Sequence, residues 1–178
     1  MKLATIRTGD ATTAARIIDD NRAVKLGAED VGKLLRDGTF EEGEEITFAP
    51  SDLAPVIPRP GKIICVGLNY AKHIAEMGHE QPDVPTLFIK YPEALIGAYD
   101  DAEVPSFNAD TLDFEGELAV IVGTRARHAI DGAEHIAGYT VINDYTQRHF
   151  QKRTQQWHQG KSLEKTAGFG PWLDTEWQ

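Results

Sequence analysis

The sequence has a single cysteine, Cys65, among its 178 residues. One cysteine cannot form an internal disulfide or supply the paired thiolates of a zinc knuckle. No apolar run approaches the ~20 residues that a membrane-spanning helix requires. The stretch Met1–Arg16 lacks the continuous apolar core of a secretory signal peptide. These absences predict a cytoplasmic protein without disulfides and without a membrane partner.

Basic residues are outnumbered, because 18 lysines and arginines face 28 aspartates and glutamates, which gives a formal charge of −10 at pH 7. No cluster of basic residues interrupts this excess, so the chain would repel the phosphate backbone of a nucleic acid. Apolar residues make up 41% of the chain and charged residues 26%, which is ordinary for a soluble globular protein. The sequence therefore excludes a nucleic-acid partner and favours a small-molecule one.

Several familiar catalytic motifs are also missing. The stretch Gly160–Ser162 resembles the end of a phosphate-binding loop, but Gln155 stands where that loop requires glycine. No serine lies in a Gly-x-Ser-x-Gly elbow, and no His-Glu-x-x-His segment occurs. Cys65 lies inside an apolar run, where a small hydrophobic role is more common than that of a nucleophile. The chemistry must therefore come from other residues.

The chain divides into two segments at a proline-rich stretch. Residues 1–49 alternate strand-like runs with turn signals and contain a short helical pattern at 30–35. Four prolines within residues 50–60 favour an extended, stiff linker. Residues 61–178 contain a short helical pattern at 69–78. Strand-like runs in this second segment lie at residues 62–67, 86–90, 115–122 and 138–143, the first of them predicted to be buried. The pattern predicts an α+β fold on a mixed sheet, preceded by a small strand-rich module.

Two glutamates stand where one of these strands begins. Glu115 and Glu117 are two residues apart, so on a strand their side chains project to the same face. Neighbouring like charges repel one another, and a divalent cation would remove that repulsion because hard cations take carboxylate oxygens as ligands. An edge strand with an acidic outer face is the alternative. The pair alone leaves both interpretations open.

Asp144 follows the run at 138–143 and opens a polar segment. If a helix begins there, then Asp144, Arg148 and Gln151 lie on one helical face. Asp144 would be the N-cap residue, with Gln147 at the capping-box position and Arg148 paired to the aspartate. An N-capping aspartate still keeps one oxygen for a metal ion. A structural role and a metal-binding role are therefore compatible here.

Three more polar residues each have a functional and a structural interpretation. His73 and Glu76 share a face of the short helix, where the glutamate could orient the imidazole as a general base acting on water. An exposed surface pair is the alternative. Lys161 lies near Trp157 and Trp172 in the sequence, where it could hold an anion among aromatic side chains. A solvated lysine is the alternative.

In their order along the chain, these motifs resemble the fumarylacetoacetate hydrolase family. The matching segments are Ile64–Tyr70 with His73 and Glu76, Asp113–Val120, Ala137–Asp144 with Arg148 and Gln151, Gly160–Ser162 and Gly168–Trp172. The resemblance begins at about residue 58. It implies a mixed β-roll, usually assembled as a homodimer. Residues 1–49 resemble the variable small domain that precedes the catalytic domain of many members.

The resemblance implies that Glu115, Glu117 and Asp144 hold a divalent metal ion. Mg²⁺ is the ion expected, with Mn²⁺ or Ca²⁺ as alternatives, because all three accept oxygen ligands. In the family, the metal chelates the oxo-acid part of the substrate. It stabilises the enolate that develops as a carbon–carbon bond breaks or as a proton moves.

The remaining candidate residues take their roles from the same resemblance. His73 and Glu76 match the dyad that activates water in hydrolytic members of the family. Arg148 and Gln151 match substrate-binding positions that hold the carboxylate or the oxyanion. Lys161 matches a position that holds the carboxylate or the oxyanion during catalysis.

The implied activity is metal-dependent hydrolysis of a carbon–carbon bond in a small acylpyruvate- or fumarylpyruvate-type oxo-acid, as in the catabolism of aromatic compounds. His73 and Glu76 favour hydrolysis. The alternative is isomerisation or decarboxylation of a 2-hydroxymuconate-type dioate such as 2-hydroxyhepta-2,4-diene-1,7-dioate, which needs no attacking water. Family members usually continue into further strands and a Gly-Thr-Pro-rich loop, so a fragment or a truncated, non-catalytic relative is a further alternative. Lost strands would leave an open sheet edge and uncovered apolar surface.

Overall fold

The computed structural model of the chain describes residues 1–76, 78, 80–104, 106–107 and 109–177. The described strands are β1 (Lys2–Thr8), β2 (Ala11–Ile17), β3 (Arg22–Lys25), β4 (Glu45–Thr47), β5 (Ile63–Gly67), β6 (Thr86–Lys90), β7 (Leu95–Ile96), β8 (Leu112–Asp113), β9 (Gly116–Val122), β10 (Ile136–Asn143), β11 (Thr146–Gln147) and β12 (Ala167–Asp174). The helices are α1 (Val31–Asp37), α2 (Ala71–Glu76), α3 (Arg148–Gln151) and α4 (His158–Lys161). Strands dominate and the helices are short, as predicted. None of these helices is long and apolar enough to cross a bilayer.

The largest sheet joins the beginning and the end of the chain. Its strands follow the order β4-β3-β2-β1-β12-β10-β9, and β7 pairs with β12 in parallel. Strands β1 and β12 pair through Lys2↔Asp174 and Leu3↔Leu173. The predicted segments 1–49 and 61–178 therefore contribute to one sheet. Two smaller antiparallel pairs, β5-β6 and β8-β11, lie outside it.

The central strand β1 is covered on both faces. Leu3 belongs to one buried cluster and Ile6 to another, because successive side chains of a strand point to opposite faces. Helix α1 packs into the first cluster through Val31 and Leu34. Asp30 starts this helix by accepting a hydrogen bond from the Lys33 backbone N–H at 2.7 Å. The helix predicted at 30–35 is thus confirmed and is two residues longer at its end.

The proline-rich stretch packs against the main sheet instead of running through solvent. Leu53 and Val56 are both buried. The backbone N–H of Ala54 donates to the Thr5 carbonyl at 3.0 Å, and that of Val56 donates to the Phe169 carbonyl at 3.1 Å. This stretch is therefore tied to β1 and β12 on the way to β5.

One surface of the described structure is apolar and uncovered. Leu118, Val120 and Val122 share one side of β9, and Val141 lies opposite Leu118 on β10. These four side chains, called the apolar face below, are between 47% and 62% exposed. Strand β5 has the same property, since Ile64 is 58% exposed. The prediction of a buried strand at 62–67 is therefore wrong: none of these residues is buried, and Ile64 is the most exposed apolar one, because one side of the β5-β6 pair has no covering layer in the described structure.

Candidate metal and substrate site

Three carboxylates meet where β9 begins and β10 ends. Glu115, Glu117 and Asp144 each offer one oxygen, and these oxygens all lie within 4.8 Å of one another. The ladder between the two strands causes this, since Glu117 pairs with Ile142 in register. The Asp144 N–H also donates to the Glu115 carbonyl at 2.8 Å. The structure thus brings together the three residues that the sequence analysis assigned to a metal ion.

Asp144 is enclosed between two buried lysines. Its side chain is 1% exposed, and those of Lys90 and Lys161 are 0% and 3% exposed. Lys90 Nζ lies 2.8 Å from Asp144 Oδ1, and Lys161 Nζ lies 2.7 Å from Oδ2. Buried charges persist only when they are paired, so the lysines compensate the charge of Asp144. The Lys90 contact is not aligned as a hydrogen bond, which leaves Oδ1 with an unused lone pair.

The predicted helix start at Asp144 is wrong. Residues Thr146 and Gln147 form β11, which pairs with β8, and α3 begins only at Arg148. Gln147 takes the N-cap position of α3 without a side-chain cap. Thr146 and Gln147 form a strand because their backbone groups pair with those of β8, and a helical turn would leave that pairing unmade. The Asp144 side chain is held by Lys90 and Lys161, so it does not cap a helix.

Arg148 pairs with other carboxylates than the predicted one. Its Nη2 lies 2.7 Å from Asp113 Oδ2 and 2.7 Å from Glu115 Oε1. Its Nη1 donates to Gln151 Oε1 at 3.1 Å. Burial opposes the guanidinium charge, but the hydrogen bonds and charges of Asp113 and Glu115 outweigh it and raise the pKa of Arg148. The predicted pairing of Arg148 with Asp144 is therefore wrong, although Arg148 does contact Glu115 in the carboxylate cluster.

Lys161 reaches the cluster because α4 packs very closely on the chain beneath it. A Cβ on Gly160 would lie 2.6 Å from Gln151 N and 2.7 Å from Gln147 O, so this position requires glycine. Lys161 Nζ donates to Glu115 Oε2 at 2.6 Å as well as to Asp144. The alternative of a solvated lysine is wrong.

The aromatic ring next to Lys161 is Phe88, and of the two tryptophans expected from the sequence only Trp157 lies nearby. Lys161 Nζ lies 5.0 Å from the centre of the Phe88 ring, and Phe88 packs edge-to-face against Trp157 at 5.5 Å. Trp172 instead lies under Lys2, whose Nζ is 4.3 Å from the ring centre. Lys161 thus has Trp157 behind its aromatic contact, while Trp172 belongs to the β1-β12 region.

A cavity of about 1240 Å³ opens over the cluster. Glu115, Glu117, Arg148 and Lys161 line it. Other residues of its wall are Tyr70, Lys72, Glu76, Phe88, Gln151 and Trp157. Glu76 and Gln151, both predicted as functional, therefore face the same cavity as the carboxylates. The side chain of His73 lies outside the described residues.

Burial changes the acidity of two groups near the cluster. Desolvation, together with the charges of Asp144 and Glu115, raises the pKa of Glu117 to about 7. Desolvation also raises the pKa of the Cys65 thiol to about 12. A thiol of that pKa is protonated at neutral pH and is a poor nucleophile, as the sequence analysis expected.

Lys90 is a residue of the site that the sequence motifs do not indicate. This lysine ends the apolar strand β6, and its Nζ donates to the carbonyl of Lys161 and, at 3.4 Å, to that of Tyr145. The sequence feature that could have indicated Lys90 is a charged residue at the end of an apolar strand. Its partner Asp144 is distant in sequence, so the pattern alone could not connect them.

Comparison with known proteins identifies the family. Residues 62–178 match the family model for the fumarylacetoacetate (FAA) hydrolase C-terminal region. The chain belongs to the fumarylacetoacetate hydrolase family. It is 38% identical over 136 residues to human mitochondrial oxaloacetate tautomerase FAHD2A, an alignment that covers 74% of this chain and 41% of that protein. It is 43% identical over 122 residues to oxaloacetate tautomerase YisK of Bacillus subtilis, covering 66% and 40%. The chain thus spans less than half the length of these curated relatives.

Solved structures agree with this assignment. The fumarylacetoacetate hydrolase from psychrophilic Exiguobacterium antarcticum superposes with a TM-score of 0.80 at 29% identity, covering 99% of this chain and 67% of that one. The 5-carboxymethyl-2-hydroxymuconate delta-isomerase of Mycobacterium smegmatis gives 0.77 at 29% identity, covering 100% and 67%. The members named in these comparisons are tautomerases, isomerases and hydrolases, so the family is one of enzymes.

Proposed function

We propose that this chain carries the catalytic site of a metal-dependent tautomerase that interconverts the keto and enol forms of a small 2-oxo acid of the oxaloacetate type. The observation that carries the proposal is the set of three carboxylate oxygens within 4.8 Å of one another beneath a cavity lined by Arg148 and Lys161. The two relatives named as oxaloacetate tautomerases, at 38% and 43% identity, support this choice of reaction.

The donor set fits a hard divalent cation. Glu115, Glu117 and Asp144 supply oxygen ligands, which Mg²⁺, Mn²⁺ and Ca²⁺ all accept. Asp144 Oδ1 lies 2.8 Å from Lys90 Nζ but accepts no aligned hydrogen bond, so this buried oxygen keeps a lone pair that would suit a metal ion. A bound cation would polarise the 2-oxo group of the substrate and acidify the neighbouring carbon.

The residues of the chain divide the remaining work. Arg148 and Gln151 line the cavity side by side and bind the substrate carboxylate, which would share the guanidinium with Asp113 and Glu115. Lys161 stabilises the oxygen on C2 as negative charge develops there. Glu76, a cavity carboxylate outside the cluster, carries the proton between that oxygen and C3. In ketonisation the enol O–H bond breaks and a C3–H bond forms, and enolisation is the reverse, so the reaction needs no attacking water.

Hydrolysis of an acylpyruvate- or fumarylpyruvate-type substrate is the second candidate. Glu76 lines the cavity, and the sequence resemblance assigns it to a water-activating pair with His73. Isomerisation of a hydroxymuconate-type dioate shares the enolate step, and a structural neighbour bears that name. A non-catalytic relative would bind such acids without turnover.

The two reactions give different products from one assay. Purified protein with Mg²⁺ is offered the enol form of oxaloacetate and, separately, an acylpyruvate. The tautomerase proposal predicts faster ketonisation without release of pyruvate from the acylpyruvate, whereas a hydrolase releases pyruvate and a carboxylic acid. We expect Glu76→Gln to slow ketonisation by about 100-fold or more, since a lost general base costs 10²–10⁴-fold. The exposed Glu80→Gln is the matched control.

His73→Ala separates the candidates further. A tautomerase that uses Glu76 alone keeps most of its rate in this variant, whereas a hydrolase that depends on the His73–Glu76 pair loses it. Pyruvate release that disappears in His73→Ala would replace the tautomerase proposal with the hydrolase one. Turnover of neither substrate would favour a non-catalytic binding role.

We also propose that a second copy of the chain covers the apolar face and so forms a homodimer. Contiguous exposed apolar side chains on an end strand of a sheet mark interaction surfaces. Light scattering during size exclusion is expected to give twice the 19.7 kDa of one chain. Val120→Glu places a charge on this face and is expected to yield monomer. Ile130→Glu, on a fully exposed loop position, should leave the mass unchanged. A monomeric parent protein at about 10–50 μM would contradict the proposal and favour the alternative that further strands, as in longer relatives, cover this face.

A further inference from the structure

The ammonium group of Lys161 lies on the carboxylates assigned to the metal ion. We propose that Lys161 is a tethered counter-ion of the metal-free site, that a divalent cation competes with it for Glu115 and Asp144, and that cation binding releases its ammonium toward the substrate. This inference rests on the metal site of the proposed function. It adds a role for Lys161 in the affinity of the site, separate from any contact with the substrate.

The distances place the two cations in competition. Lys161 Nζ lies 2.6 Å from Glu115 Oε2 and 2.7 Å from Asp144 Oδ2. Mg²⁺ binds oxygen at about 2.0–2.1 Å and would draw the same carboxylates around itself. An ammonium group and a divalent ion on the same oxygens repel strongly here, because Asp144 is buried and Glu115 is only 24% exposed, so solvent screens the charges weakly. Metal binding therefore weakens the contacts of Lys161.

Lys161 differs from Lys90 and Arg148, the other two cations that contact the cluster, because those two also have hydrogen-bond partners outside it. Lys90 donates to the backbone carbonyls of Tyr145 and Lys161, and Arg148 donates to Asp113 and Gln151, all outside the three-carboxylate set. The hydrogen bonds of Lys161 Nζ in the described structure go to Glu115 and Asp144. Lys161 is therefore the cation most directly exchanged for a metal ion.

The surroundings give the displaced ammonium a place to stay. Phe88 lies 5.0 Å from Lys161 Nζ and lines the same cavity, and an aromatic face attracts a cation at that range. The backbone of Lys161 stays fixed, because Lys90 donates to its carbonyl and Gly160 packs on α3. The exchange thus requires rotation of one side chain, which then points into the cavity where the substrate binds.

Calorimetric titration of the purified, metal-free protein with Mn²⁺ and with Mg²⁺ tests the competition. Lys161→Met removes the competing charge and keeps an unbranched side chain. We expect it to bind Mn²⁺ at least ~10-fold more tightly than the parent, given the strength of charge repulsion at this range. Lys161→Arg keeps the charge and should stay closer to the parent affinity. Lys165→Met, at an exposed lysine paired with Glu103, is the matched control and should change nothing.

A second measurement uses the parent protein and does not depend on the folding of a variant. The ¹⁵Nζ signal of Lys161 is assigned by its loss in the Lys161→Arg variant and followed by NMR as Mg²⁺ is added. The proposal expects a protected signal without metal that shifts or exchanges faster with solvent when the site fills.

The outcomes separate the two proposals. Unchanged or weaker Mn²⁺ binding by folded Lys161→Met, or a Lys161 signal indifferent to saturating Mg²⁺, overturns the counter-ion role and leaves the metal site standing. Failure of the parent, Lys165→Met and Lys161→Met alike to bind either ion overturns both the metal site and the inference drawn from it.

Discussion

Replacing Asp144 with asparagine is expected to lower the free energy of unfolding of the metal-free protein by about 3–5 kcal/mol, the usual cost of breaking a buried ion pair on one side. The variant keeps the shape of the side chain and removes its charge. Lys90 and Lys161, which are 0% and 3% exposed, then lose the carboxylate they share. The measurement is urea denaturation in the presence of a chelator, extrapolated to water.

The same substitution is expected to abolish measurable Mg²⁺ binding and to reduce turnover by at least about 100-fold, because a transition-state charge loses its stabilisation. Asp113→Asn is the matched control, since it removes a more exposed carboxylate from Arg148. Exposed pairs contribute about 0–1 kcal/mol, so this control should remain nearly as stable as the parent. An Asp144→Asn variant as stable as Asp113→Asn would show that the lysine–aspartate network does not hold the site together.

Metal binding is expected to weaken by about 30-fold when the pH is lowered from 8 to 5.5. The reason is that the ionised fraction of Glu117, whose pKa is about 7, falls by that factor over this range. Burial, with the charges of Asp144 and Glu115, raises the pKa of Glu117 to that value, so protons compete with the metal ion for this ligand below neutrality. Calorimetric titration with Mg²⁺ across this range measures the effect. Glu117→Gln should bind weakly and lose most of the pH dependence. A flat profile in the parent protein would contradict the role of Glu117 as a ligand.

The same carboxyl group makes the stability of the metal-free protein depend on pH in the opposite sense. The ordinary pKa of a glutamate is 4.5, so between pH 4.5 and about 7 the folded protein retains a proton that the unfolded chain has lost. The free energy of unfolding from this group therefore falls as pH rises through that window. Urea unfolding at pH 5 and pH 8 with a chelator should show this fall in the parent and a smaller one in Glu117→Gln.

The sequence pattern predicted the part of the site that is formed by residues close together in the chain, the Glu115 and Glu117 pair. The apolar run 118–122 predicts a strand, and Glu115 and Glu117 are two residues apart at its start. The structure has this strand as β9, and carboxylate oxygens of the two glutamates lie within 4.8 Å of each other, as expected. The glycine at 160 was noticed as part of a rejected motif. Its actual role is close packing of α4 on α3, which depends on a contact that the sequence does not display.

The rest required tertiary contacts. The stretch 144–147 has the residues of a helix start, but β8 pairs with Thr146 and Gln147, and Lys90 and Lys161 engage Asp144 from distant positions. Propensity is a weak guide where such contacts decide the backbone. The run around Ile64 shows the same limit, because an apolar strand looks identical in sequence whether or not another layer covers it.

The pairing of β1 with β12 links the amino-terminal strands to the chemistry of the cavity. Strand β12 lies between β1 and β10, and β10 leads directly to Asp144. The Thr175 N–H also donates to the Met1 carbonyl at 2.9 Å, which fastens the first residue to the end of the neighbouring strand β12. An exchange of the amino-terminal segment between relatives would therefore have to preserve the Leu3↔Leu173 register, since a slipped strand would shift β12 and β10 and with them the three-carboxylate cluster. Among the described residues, strands β1–β4 make no contact with the carboxylate cluster, yet their sheet is joined to it through β12 and β10.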